Sequence, residues 1–306
     1  MRLDGIHHIT AITGNAPENV SFHAGVLGLR LVKKTVNQDD PTVYHLFYAD
    51  EKGSPGADLT FFEYPGVARG RAGAGMVHRI VFRVGSEAAI EFWAKRLADA
   101  GVETERVDGA LRFTDPEGLA YELAVVETDD EPLVAESPEI PAELALQGFE
   151  AVRAYTADPD ASSLFLEEGL GFTPEGENGF EVRGEHRGGR YIYDTTEEIG
   201  RQGGGTVHHV AWASPPEDHE AWRARALDAG AHATPVIDRF YFKSVYFREP
   251  SGVLFEIATI GPGFTSDEPL ESLGQRLSLP PFLEDRRAEI EPRLTPLPDP
   301  RAALKA

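Results

Sequence analysis

Laid side by side, residues 76–124 and 206–258 are two versions of one unit. "MVHRIVFRV" matches "TVHHVAWAS" as a strand, and "FWAKRLADAGV" (92–102) matches "AWRARALDAGA" (221–231) as a helix closed by glycine. "DPEGLAYELA" (115–124) matches "EPSGVLFEIA" (249–258) as a turn feeding a strand. Two further stretches fit more loosely, one opening with "GIHHITAIT" and one with "GFEAVRAYT" (148–156). Four copies of strand–helix–strand–strand–strand predict an α+β fold of four βαβββ modules, and a repeat of this kind decides the architecture before any other feature. The acidic, Pro-rich "ETDDEPLVAESPEIPAE" (127–143) reads as a linker. It predicts an N-terminal domain of two modules (1–130), a C-terminal domain of two modules (145–262) and a tail (263–306). "RGRAGAG" (69–75) reads as a link between units, and "RQGGGT" (201–206) as a flexible lead into the fourth.

Two of the opening strands carry adjacent histidines, His7–His8 and His208–His209. Successive strand residues point to opposite faces, so only one of each pair can face a common interior. His209 shares its face with small Ala211, whereas His208 shares one with bulky Trp212, which favours His209. Alternation alone does not choose between His7 and His8. Glu256, in the otherwise apolar "GVLFEIAT", is a carboxylate that would be expensive to bury unpaired. The chain has no cysteine, so a metal site must draw on His, Asp or Glu. Two imidazoles and one carboxylate form the facial triad suited to Fe(II), with positions left open for substrate and dioxygen. Aligning the turn glycines Gly56 and Gly252 sets Thr60 opposite Glu256. Glu63 lies an odd number of residues further and so faces away, unless a bulge shifts that strand.

The net charge of −22 disfavours nucleic acid and anionic membranes as partners. With only six lysines, such a surface suits a protein kept soluble in high salt. No apolar run reaches the roughly 18–20 residues needed to span a bilayer, and "MRLDGIHHIT" lacks a signal-peptide pattern, so a cytoplasmic location is expected.

The repeat resembles the vicinal-oxygen-chelate (glyoxalase, bleomycin-resistance and dioxygenase) superfamily, in which paired βαβββ modules curl into a half-open cup around a divalent metal. "GIHHIT", "YHLFYADEKGSPG", "TVHHVAW", "DRFYFKSVYFREPSGVLFEIAT" and "GFTSDEPLESLG" together are most similar to its hydroquinone-type ring-cleaving dioxygenases. That resemblance implies an Fe(II) enzyme, with Mn(II) as a substitute, acting on a small aromatic diol and dioxygen. It carries the ligands onto His8, His209 and Glu256. It also implies that Arg239 and Tyr246 contact the reacting oxygens, and that His7, Thr10 and His208 complete the surroundings, with His7 and His208 acting through hydrogen bonds to the ligands. A homodimer is one expected assembly. Two rival readings keep the fold: a glyoxalase-like isomerase or lyase, in which Glu63 would be a fourth ligand, and a metal-free protein that binds aromatic compounds.

Overall fold

The computed structural model describes residues 1–299. Unit one comprises β1 (Ile6–Thr13), α1 (Ala16–Val20), β2 (Arg30–Val36), β3 (Tyr44–Ala49) and β4 (Asp58–Glu63). Unit two follows with β5 (Met76–Val84), α2 (Glu87–Asp99), β6 (Thr104–Val107), β7 (Ala110–Thr114) and β8 (Ala120–Val125). Unit three has β9 (Phe149–Thr156), two short helical turns, β10 (Thr173–Glu175), β11 (Gly179–Arg183) and β12 (Gly188–Thr195). Unit four closes the repeat with β13 (Thr206–Ser214), α3 (His219–Asp228), β14 (Ile237–Asp238), β15 (Lys243–Arg248) and β16 (Leu254–Thr259). Local chemistry explains the repeated joints. Gly56, Gly118 and Gly252 sit at matching turns with φ of +98°, +95° and +104°, a region costly for any residue with a Cβ. Asp115 and Glu249 each accept the amide hydrogens two and four residues further on, which pins the turn into β8 and into β16.

These strands form two eight-stranded mixed sheets, ordered β14-β15-β16-β13-β1-β4-β3-β2 and β10-β11-β12-β9-β5-β8-β7-β6. The sheets therefore correct the sequential division into 1–130 and 145–262. Unit one shares a sheet with unit four, and units two and three share the other. β1 is buried along its whole length and needs a partner on both edges. β4 supplies one in parallel and β13 the other antiparallel. The connections explain how the outer units meet. Residues 69–75 carry the chain away from the first sheet and residues 198–204 bring it back, and the two links are hydrogen-bonded to each other. A Cβ on Gly73 would stand 2.2 Å from the amide nitrogen of Gly200. "RQGGGT" is thus a paired crossing in which glycine permits close backbone approach, not a flexible lead.

One apolar cluster runs through both sheets and the helices, with Trp93, Trp212 and Trp222 among its most deeply buried members. A second lines the interior of the curled first sheet: Val32, Phe47, Ala211, Phe242 and Ala258, with Phe264 and Leu273 from the tail. Of the tail, residues 263–299 are described; they pack on this sheet, and residues 300–306 lie outside the described part. Lys33, fully buried on β2, holds the tail by ion pairs to Asp267 (2.6 Å) and Glu268, with its ammonium 4.9 Å from the Tyr241 ring. Among the described residues no helix is long and apolar enough to cross a membrane.

Candidate metal centre

Three adjacent central strands bring the candidate ligands together. β1 supplies His8, β13 supplies His209 and β16 supplies Glu256; one donor atom from each lies within 4.8 Å of the others. His8 Nε2 and His209 Nε2 stand 3.2 and 2.9 Å from Glu256 Oε2, and 3.3 Å from each other. Alternation left His7 and His8 undecided, and the structure turns His8 inward.

The neighbouring histidines decide which nitrogen carries the proton. His7 Nε2 lies 3.2 Å from the Thr259 carbonyl, which can only accept, so this nitrogen is the donor. His7 Nδ1 is then an acceptor, and His8 Nδ1, 2.9 Å away, must donate to it. The lone pair of His8 is left on Nε2, directed at Glu256. Burial first, and His8 second, push the His7 pKa down to about 3, so His7 is uncharged near neutral pH. The second pair has the same contact, His208 Nδ1 to His209 Nδ1 at 2.8 Å, but no backbone carbonyl fixes its direction. Burial and His209 lower the His208 pKa to about 4, and burial lowers that of His209.

Glu256 is completely buried, and neither carboxylate oxygen has a hydrogen-bond donor. A fully buried carboxylate confronting the His8 lone pair at 3.2 Å is an unfavourable arrangement in protein alone. A divalent cation bonded to all three relieves it, so the donor set fits a metal of the His₂-carboxylate class.

The fourth corner holds a hydroxyl. Thr60 pairs in register with Thr10 and donates to its Oγ1 at 2.8 Å. Glu63 faces the other way, where its carboxylate accepts the Ala16 amide at the start of α1 (3.2 Å). It contributes nothing to the cluster of donors.

A small cavity of about 40 Å³ adjoins His8 and His209. Thr10, Arg239 and Tyr246 line it, whereas His7 and His208 do not and touch the centre only through the neighbouring imidazoles of His8 and His209. Tyr246 pairs with Glu256 across β15 and β16, its ring 5.6 Å from that of His209. Burial and Glu256 raise its pKa, so it keeps its proton as a donor. Arg239 lies over the Tyr246 ring and pairs with Asp39 at 3.2 Å. Asn37, Gln38 and Asp39 roof the cavity, and Gln38 donates to the Arg239 carbonyl at 2.8 Å. His45, Phe62 and Phe242, also in the wall, were not singled out from the sequence. The only signal for His45 was its place in "YHLFYAD", a strand whose alternate residues His45 and Phe47 share a face.

The second sheet repeats the geometry without the donors. The counterparts of His8, His209 and Glu256 are Ala151, Arg79 and Glu122. Arg79 and Arg112 hold the Glu122 carboxylate at 3.1 and 2.6 Å. A guanidinium stands where the first sheet has an imidazole, so this glutamate needs no ion.

The profile of the Glyoxalase/Bleomycin resistance protein/Dioxygenase superfamily matches residues 5–123 and 148–257. The chain is 39% identical to a Bacillus subtilis (strain 168) protein named "Putative ring-cleaving dioxygenase MhqA", over 97% of this chain and all of that one. It is 33% identical to the chlorohydroquinone/hydroquinone 1,2-dioxygenase of Sphingobium indicum, over 94% of this chain and 95% of that one. A crystal structure described as a "putative dioxygenase" from Bacillus subtilis superposes with a TM-score of 0.90 at 38% identity, covering 97% of this chain and 98% of that one. Glyoxalase I from Zea mays shares the fold, with a TM-score of 0.58 at 16% identity over 83% of this chain and 92% of that one. With four matching modules and a cup that gathers two histidines and a glutamate, the chain belongs to the glyoxalase/bleomycin resistance protein/dioxygenase superfamily.

Proposed function

We propose that this protein is an Fe(II)-dependent ring-cleaving dioxygenase for hydroquinone- or catechol-type diols, with Mn(II) as the substitute metal. The observation that carries this reading is the buried trio His8, His209 and Glu256, with threonine at the fourth corner. Three protein ligands leave room for a diol and dioxygen together, whereas an isomerase of this fold would need a fourth ligand that Thr60 does not supply. When bound, a ferrous ion would supply Lewis acidity toward the ring oxygen and the one-electron chemistry that dioxygen requires. The relatives named as ring-cleaving dioxygenases support the same reading.

The chain's own residues do the rest. His8 and His209 supply imidazole nitrogens, His8 with its proton directed by His7, and Glu256 supplies the anionic ligand. Phe62 and Phe242 form apolar walls against which an aromatic ring can lie. The protonated Tyr246 hydroxyl and the Arg239 guanidinium stabilise negative charge as it develops on oxygen. Burial works against the Arg239 charge, but Tyr246 and Asp39 more than offset it. Residues 37–39 cover the cavity and keep bulk water from the reacting oxygens.

The test is oxygen uptake by anaerobically iron-loaded protein presented with hydroquinones and catechols. Uptake with formation of a ring-opened acid is expected, and its loss in Glu256→Gln. No uptake with any diol overturns the proposal.

A further inference from the structure

We propose that His45 is a specificity-determining residue that accepts a hydrogen bond from the second, un-ionised hydroxyl of a para-diol. The inference rests on the diol reading above and adds a residue and a substrate geometry to it.

In the first sheet the ligand strands β16, β13 and β1 are central. Tyr246 lies one strand to one side, on β15, and His45 lies two strands to the other, on β3. The curl of the sheet brings both into the same cavity wall. Phe47 and Phe62 flank the His45 ring, with centroids at 4.0 and 4.3 Å. Its faces are thus packed against aromatic neighbours and its edge is left for polar contact. On that edge Nε2 lies 3.0 Å from Thr60 Oγ1. The Thr60 hydroxyl gives its single proton to Thr10, so it accepts from His45 and Nε2 is the donor. His45 Nδ1 therefore carries a lone pair, and no group of the described protein donates to it.

The cavity is consequently asymmetric. On the β15 side Tyr246 and Arg239 are donors, suited to an ionised oxygen. On the β3 side His45 is an acceptor, suited to a hydroxyl that keeps its proton. A para-diol ionised once satisfies both sides, with its phenolate toward the ligand trio and its hydroxyl toward β3. A catechol has adjacent oxygens that both turn toward the trio, which leaves His45 without a donor.

The experiment is equilibrium binding under anaerobic conditions, with the iron-loaded protein and two probes: hydroquinone, and 4-methoxyphenol, in which the second oxygen no longer carries a proton. Wild type is expected to prefer hydroquinone by about tenfold, the usual worth of one buried hydrogen bond. His45→Phe keeps an aromatic ring between Phe47 and Phe62 and is expected to reduce the preference to about twofold or less. His45→Asn retains an acceptor oxygen and is expected to recover part of it. An equal preference in wild type and His45→Phe overturns the inference, as does wild type binding the two probes equally or binding neither. Should His45→Phe fail to fold, the wild-type preference and His45→Asn still decide. Oxygen uptake is measured in parallel. A hydroquinone preference that depends on His45, with no uptake, would overturn the dioxygenase reading and leave the role of His45 in place.

Discussion

Replacing His7 with phenylalanine should weaken metal binding without removing a ligand. In the wild type, the Thr259 carbonyl fixes the proton on His7 Nε2, His7 Nδ1 accepts from His8 Nδ1, and the His8 lone pair points at the centre. Phenylalanine preserves the packing on Phe242, whose ring lies 5.2 Å from that of His7, but it offers no acceptor. His8 is almost fully buried, so its Nδ1 proton would be stranded at a cost of about 1–3 kcal/mol. The imidazole can escape by moving that proton to Nε2, where Glu256 accepts it at 3.2 Å. Metal binding must then drive the proton back. The penalty therefore appears in the affinity, as a loss of about 10–100-fold, the range found when partners behind a ligand histidine are removed. Competition against a chelator of known affinity measures it directly, independent of turnover. His208→Phe should fall at the low end of that range, because no carbonyl fixes its proton. A His7→Phe protein that holds metal as tightly as wild type would refute the relay.

Glu63→Gln should leave metal stoichiometry unchanged, since Glu63 accepts the Ala16 amide; loss of metal from this variant would restore the four-ligand alternative. Lys33→Met should destabilise the fold by about 3–5 kcal/mol, because buried Glu268 keeps only the exposed Arg276 at 3.7 Å, and denaturant unfolding with limited proteolysis of the tail would register it. Asp39→Ala should speed ring entry. The cavity of about 40 Å³ is far below the order of 150 Å³ that admits benzene, and the roof is latched by an ion pair whose exposed aspartate makes it worth under about 1 kcal/mol. Up to about fivefold faster anaerobic association is expected, and an unchanged rate would mean that the ring enters elsewhere. Asp115 predicts a pH dependence of stability. Burial raises its folded pKa to about 7 from the usual value of about 4, so the folded form holds the proton more tightly than the unfolded form. Its contribution is complete below about pH 4 and is lost as pH rises through 7. Asp115→Asn should flatten that slope by about 2–4 kcal/mol across the window, as read by thermal unfolding at pH 5 and 8.

The modules were legible because turn glycines, strand alternation and helix ends recur at matched spacings. Which modules share a sheet was not, since strand alternation carries no information about the neighbour on either edge. A clue was present nonetheless. Drawing ligands from His8 in unit one and from His209 and Glu256 in unit four already requires those units to meet, which a division at residues 130–145 would prevent. At the centre, face alternation separated His209 from His208 and Thr60 from Glu63. The choice of His8 over His7 needed the coordinates, because β1 is buried on both faces and either side chain would have been covered. His45 and residues 37–39 escaped notice for different reasons. His45 depends on the curl of the sheet to reach the cavity, and the roof depends on a loop path that no periodicity encodes.

The nesting of the middle pair of units between the outer pair has a consequence for biosynthesis. His8 and His209 are 201 positions apart, while everything needed for the second sheet is contiguous in between. As the ribosome extends the chain, at about 5–20 residues per second, that sheet can close while unit one still waits with one backbone edge of β1 unpaired. Only the arrival of β13 and β16 covers the edge and delivers the second imidazole and the carboxylate. The proposed donor set is therefore completed only at the end of synthesis, and a nascent chain released before Glu256 lacks the one anionic member of the trio.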